Sequence, residues 1–210
     1  MYRFNFILFL VVFLYSQVDV DISELIPDSE PHLNYKKNKT YQSEYISSTP
    51  SIDGVLDEPY WIELRDGKFT NHIIHDFIQE EPINLSEPSF KTIVKILHDD
   101  ENIYIAARLY DSDSQNIRKQ LSRRDEWDPS SSDWFSIEFD SKHDHQTSYL
   151  FSVNSSGVQM DAMSYLDSMD DLEYNAVWES SVKIDEDGWK IEMKIPYKML
   201  SITQMENPWG

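Results

Sequence analysis

Beyond residue 90 the hydrophobic and polar positions of the chain alternate with a period of two. KTIVKILHD, NIYIAARLYD, SDWFSIEFD, TSYLFSVNSS and VQMDAMSYL each follow this rule, which is the signature of a half-buried strand. Two more strands lie in AVWESSVKIDEDGWKIEMKIPY, joined by a turn at 185–188. Asp99-Asp100-Glu101-Asn102 reads as a turn between the first two. The strands follow one another at hairpin spacing with no long helix between them. The pattern therefore predicts a largely antiparallel, all-β sandwich, jelly-roll-like, with short helical segments in loops. Upstream, SSTPSIDGVLDEPYW predicts an extended lead, a turn at Asp53-Gly54 and a short helical piece ending near Trp61. Residues 62–90 are mixed and predict a short strand at 67–70. Residues 112–121 suit one or two helical turns.

The alternation also sorts the tryptophans. Trp189 shares a face with Ile191, Met193 and Ile195, and Trp178 with Ser180, Val182 and Ile184, so both are expected in the core. Trp61 is expected to anchor the start of the domain. Trp134 is different. Phe135, Ile137 and Phe139 occupy one face of its strand, and Trp134 lies on the other with Ser136, Glu138 and Asp140. Such a tryptophan is either covered by another layer or placed to meet a ligand.

Composition narrows the classes. Eighteen basic residues against 38 acidic ones give a net charge of −20, which repels phosphate backbones and argues against nucleic acid as a partner. Residues 1–17 have the layout of a secretory signal peptide: a positive start, an apolar run and a small residue, Ser16. That run is too short for a comfortable membrane span. The chain has no cysteine, so an exported fold must hold together by packing. Residues 18–40 are polar and aperiodic and read as a flexible linker. The domain spans 41–210, and its last residues, NPWG, read as a truncated C-terminus.

SIDGVLDEPYW, VKILHDDENIYIAARLYD, RRDEWDPSSSDWFSIEFDSKHD, FSVNSSGVQMD, NAVWESSVKIDEDGWKIEMKIPY and NPWG occur in one order. Together they resemble the family 9 carbohydrate-binding modules. The closer likeness is to the version at the N-terminus of bacterial outer-membrane proteins with a C-terminal region of unknown function. The resemblance implies a β-sandwich that holds an oligosaccharide or polysaccharide without cleaving it, often with bound calcium. It also implies a link to polysaccharide breakdown or uptake at the periplasm, cell surface or outer membrane. The implied neighbour is the rest of a longer chain, an outer-membrane barrel. The alternative is a structural domain that packs against that barrel and takes no sugar.

A sugar site in water needs an aromatic ring for the C–H face and planar polar groups for the hydroxyls. If the strands carrying them are neighbours, Trp134, Glu138, Arg108, Tyr104 and Asn154 share one outward surface of that chemistry. The simpler reading of this surface is an Arg108–Glu138 pair shielded by the indole. Trp127, in a charged loop, is a second stacking candidate. Calcium wants several oxygen ligands, and Asp99, Asp111, Asp113 and Asp128 are candidates, although solvated turns explain each one. His143 and His145 could bind a transition metal or, with Met160, Met163 or Met169, haem, but no CxxCH accompanies them. A glycosidase needs two carboxylates facing across a bond. No pair among the 38 acids is singled out, and no catalytic motif appears.

Overall fold

The computed structural model describes residues 41–79, 82–83, 86–126, 128, 130–142, 144, 146–165 and 171–201, and the backbone alone of 7–11 and 169–170. Eleven strands are seen among them: β1 (Ile7–Val11), β2 (Glu44–Tyr45), β3 (Ile73–Ile74), β4 (Thr92–His98), β5 (Asn102–Tyr110), β6 (Trp134–Phe139), β7 (Thr147–Asn154), β8 (Gln159–Tyr165), β9 (Met169–Asp171), β10 (Glu179–Asp185) and β11 (Gly188–Pro196). They form two sheets, one ordered β1-β6-β7-β8-β9 and the other β10-β11-β5-β4-β2, with β3 attached to β4. All pairings are antiparallel except β1 with β6 and β2 with β4. The apolar run expected to be a leader thus contributes a strand beside β6. The expected linker at 18–40 lies outside the described residues.

The period-two pattern fixes the inner faces. Phe135, Ile137, Phe151 and Val153 of the first sheet pack on Ile105, Ala107, Ile191 and Met193 of the second. Trp178 and Trp189 belong to this core, and Trp178 meets Phe151 edge to face with ring centroids 5.5 Å apart, a favoured aromatic geometry.

The outer face of the second sheet is also covered. After β2 the chain crosses it through a 3-10 turn (Pro59–Trp61) and a single short helix, α1 (Ile62–Asp66). Trp61 and Leu64 pack there on Ile93, Leu97, Tyr104 and Ala106. A buried carboxylate fastens this roof. Glu192 of β11, with 0% of its surface exposed, accepts hydrogen bonds from the Trp61 indole (2.8 Å), the Gly54 amide (2.7 Å) and the Asp53 amide (3.0 Å). Nearby, Lys95 is buried between Glu44 and Glu63, tying β2 and α1 to β4.

Two local expectations are corrected. Residues 67–70 form no strand, because Gly67 takes the left-handed conformation (φ 64°) that closes α1; the Lys68 amide donates back to Glu63 and the chain reverses. The two-residue strand comes later, at Ile73–Ile74. The helical piece continues past Trp61 to Asp66. Within 112–121 the expected helical turn is the 3-10 turn Ser114–Asn116.

Burial pushes the Glu192 carboxyl up from 4.5 to about 7, against the pull of the amide and indole donors. The native state therefore keeps this proton up to about pH 7, whereas the unfolded chain releases it near 4.5. Between those values the folded state binds more protons, so Glu192 makes stability fall as pH rises through the window and level off above it. Chemical denaturation across that range is expected to show this slope, and Glu192→Gln to flatten it. Glu192→Ala removes the acceptor of three donors, two of them buried, and is expected to cost about 3 kcal/mol.

Candidate functional site

The five described residues expected to share one surface are divided between the two sheets. Trp134 and Glu138 lie on β6 and Asn154 on β7, whereas Tyr104 and Arg108 lie on β5 of the other sheet. Within the first sheet the register is as the pattern implies, with Trp134 opposite Asn154 and Ser136 opposite Ser152. That face, however, is closed. Trp134 is 3% exposed and packs with Val158, Met160 and Leu150, and its indole nitrogen donates to the Asp128 carbonyl at 3.3 Å. Ser136 and Ser152 are buried and bonded to each other at 2.7 Å. Asn154 caps a turn: its side-chain oxygen accepts from the amides of Ser156 and Val158, and its amide group donates to the Gln120 carbonyl. Glu138 accepts from the Ser148 hydroxyl.

On the other sheet, Tyr104 is fully buried under the roof. Its hydroxyl donates to Asp99 at 2.6 Å, and burial, reinforced by Asp99, pushes it up to about 12. Arg108 does not pair with Glu138, because Asp187 takes it at 2.9 Å. The outward sugar platform built on Trp134 is therefore withdrawn. Trp127 lies outside the described residues.

The metal candidates do not converge. Asp99 is filled by the amides of Glu101 and Asn102 and the Tyr104 hydroxyl. Asp111 accepts from the Asp113 amide, Asp113 from Asn116, and Asp128 from the amide and hydroxyl of Ser130. These are turn-stabilising bonds of short polar side chains. Among the described residues no three His, Asp or Glu side chains are arranged to hold a metal ion. Met160 and Met163 are three residues apart on β8 and so point to opposite faces. His143 and His145 lie outside the described residues.

Chemistry that can meet solvent gathers at one end of the second sheet, where α1, the start of β4, the end of β5 and the β10–β11 turn come together. Phe69 follows the Gly67 reversal and is 54% exposed. Lys91 places its ammonium 4.1 Å from the Phe69 ring centre and 5.1 Å from that of Tyr110. His75 lies against Phe69, with centroids 4.3 Å apart. The Arg108 guanidinium sits 4.7 Å over Tyr110, an arrangement favoured by the ring quadrupole. It donates from Nη1 to the Arg65 carbonyl and from Nη2 to Asp187, while its buried Nε has no hydrogen-bond partner. Burial pushes the Tyr110 phenol up, against the opposing pull of Arg108.

Two glycines make this rim possible. A Cβ on Gly67 would lie 3.2 Å from the Tyr110 hydroxyl. One on Gly188 (φ 139°) would lie 2.0 Å from the Leu109 carbonyl oxygen, so only glycine lets the β10–β11 turn bring Asp187 onto Arg108. Arg108 is marked in the sequence by its place on a strand, whereas Phe69, Lys91, Tyr110 and Asp187 are far apart in the chain and are not. The turn signals Asp66-Gly67 and Asp187-Gly188 were the available hints.

A second polar centre lies at the opposite edge. Asp161 of β8, fully buried, accepts from Arg124, from the Trp178 indole at 3.1 Å and from the Ala176 amide at 2.6 Å. Arg124 also donates to Gln159 at 2.6 Å. These bonds are made within the protein and clamp the 123–126 loop to the sandwich.

Two packed sheets with aromatic and ionic groups on a loop rim make this a β-sandwich module whose accessible chemistry lies on its surface. The chain belongs to the carbohydrate family 9 binding domain-like family, whose sequence profile matches residues 52–209. Among solved structures, it resembles a family 9 carbohydrate-binding module from Caldicellulosiruptor kristjanssonii in complex with glucose. Identity is 17% and the TM-score 0.47, over 78% of this chain and 72% of that one. The same module in complex with cellotriose gives 16% identity and a TM-score of 0.44, over 78% and 69%. A carbohydrate-binding candidate from Bacteroides uniformis gives 14% identity and a TM-score of 0.52, over 79% and 76%. Comparison with curated proteins gives no match.

Because Trp134 is packed rather than presented, Trp134→Ala is expected to cost about 3 kcal/mol of stability by leaving a cavity. A denaturant melt checks this. Gly188→Ala is expected to destabilise the fold as well, by forcing the turn away from Leu109.

Proposed function

We propose that this domain is an exported, non-catalytic carbohydrate-binding module that holds a polysaccharide or oligosaccharide at the bacterial surface. Family membership over residues 52–209 supports the ligand class, and the relatives solved with glucose and cellotriose are in keeping with it. The leader-like residues 1–17 support export. The observation that carries the reading is the Phe69 ring, more than half in solvent beside Tyr110, Lys91, Arg108 and Asp187. A pyranose can lay its C–H face on such a ring while the ammonium and carboxylate take its hydroxyls. Holding rather than cleaving is favoured because glycoside hydrolysis needs two free carboxylates across the bond, and Asp187 is engaged by Arg108.

The test is a glycan array on the full chain followed by calorimetry on the hits. Phe69→Ala is expected to weaken binding about tenfold or more, equivalent to about 1.4 kcal/mol, while changing stability by less than about 1 kcal/mol, since the ring is exposed. An array without hits, or affinity untouched by Phe69→Ala, overturns the assignment.

A further inference from the structure

The net charge of −20 gives the chain a field that repels anions at long range. The rim departs from this. Lys91 and Arg108 lie on the Phe69 and Tyr110 rings, Arg65 and Lys68 stand on the adjoining segment, and the ion-pair partners of these four are two carboxylates. Asp66 serves both Arg65 and Lys68, and Asp187 serves Arg108. Lys91 is left over. Its ammonium rests on two aromatic rings and forms no ion pair among the described residues. Beside it, the Arg108 side chain is only 12% exposed and its Nε is unbonded. This region is bounded on one side by the acidic turn of Asp185, Glu186 and Asp187, where Asp185 is itself paired with Lys190.

An ammonium resting on aromatic faces still has N–H donors that can reach an anionic oxygen. A carboxylate or sulfate ester forms a shorter and stronger bond to it than a hydroxyl does. Phe69, in contact with the same ammonium, offers a stacking surface within one sugar ring of that bond. Arg108 is too enclosed to be a direct ligand and acts as a fixed positive charge behind Lys91. The acidic turn confines an anion to the Lys91 side.

We propose that the rim selects acidic glycans, with Lys91 taking the anionic oxygen group of a pyranose whose ring lies against Phe69. This rests on the carbohydrate-binding reading above and adds the class of glycan. The anion is either a uronate carboxylate or a sulfate ester, and the two are separated by the choice of probe.

The experiment measures binding of the full chain by calorimetry to three probes: oligogalacturonate, a sulfated galacto-oligosaccharide and neutral cello-oligosaccharides. At least one acidic probe is expected to bind about tenfold tighter than the neutral one, as a charge-assisted hydrogen bond implies. Its affinity is expected to fall as salt rises from about 20 to about 200 mM, because the ion pair is exposed. Lys91→Ala should reduce that probe to the neutral level, with Lys91→Arg restoring most of the difference. The same variant should weaken neutral-glycan binding by a smaller factor, about threefold, because a hydroxyl makes the weaker bond to an ammonium, and should leave the melting temperature unchanged, since the side chain is exposed. Neutral glycans binding as well as both acidic probes, or Lys91→Ala weakening all probes equally, overturns the acidic preference and leaves carbohydrate binding standing. Failure of every probe, with an empty array, removes the carbohydrate reading and this proposal with it.

Discussion

A carboxylate with no surface in solvent organises this domain. Glu192 projects from β11 into the space between the second sheet and the segment crossing it, where it collects an indole N–H and two backbone N–H groups. Burying a carboxylate is costly unless its lone pairs are filled, and here the donors come from residues about 130 positions away or more. Satisfying Glu192 therefore places the 53–61 segment on the sheet, and Trp61 and Leu64 seal it. Everything on the outer face of β5 follows. Tyr104 and Ala106 become interior residues, α1 is led along the sheet, and its left-handed Gly67 delivers Phe69 to the rim.

The first sheet is secured by a comparable device. Asp161 lies among inward-facing positions of β8, where an unpaired carboxylate would be unfavourable, and its bonds to Arg124, Trp178 and Ala176 bring the 123–126 loop and the lead into β10 together. Two buried acids, each anchoring a chain crossing, stand in for the disulfides that a cysteine-free chain lacks. Both acids thus have a structural role. Other carboxylates, such as Asp99 and Asp128, are consumed in their own turns. Chemistry open to solvent is left to the few groups that internal hydrogen bonds do not exhaust, among them Phe69 and Lys91.

Much of this architecture was legible in the residue pattern. The seven long strands, their inward residues and the core positions of Trp178 and Trp189 follow from alternation, because a strand that buries one face must repeat every second residue; Trp61 was expected in the core as the anchor of the chain entry. The ordered motifs pointed to the family. The candidate site was not legible. Arg108 was recognised for its chemistry, but its partner is Asp187 on a neighbouring hairpin instead of Glu138 in another sheet. Phe69, Lys91 and Tyr110 sit in a reversal and at two strand ends, where no periodicity marks them.

Sequence alone determined which side chains of each strand share a face, since that depends only on the alternating geometry of the backbone. It also determined where strands end, since turn residues act locally. Tertiary structure decided which strands are neighbours and which outward faces are roofed. Those outcomes depend on pairings between distant segments, and a tryptophan among polar residues has the same local pattern whether water or a loop lies above it. Trp134 is buried and Phe69 exposed for that reason.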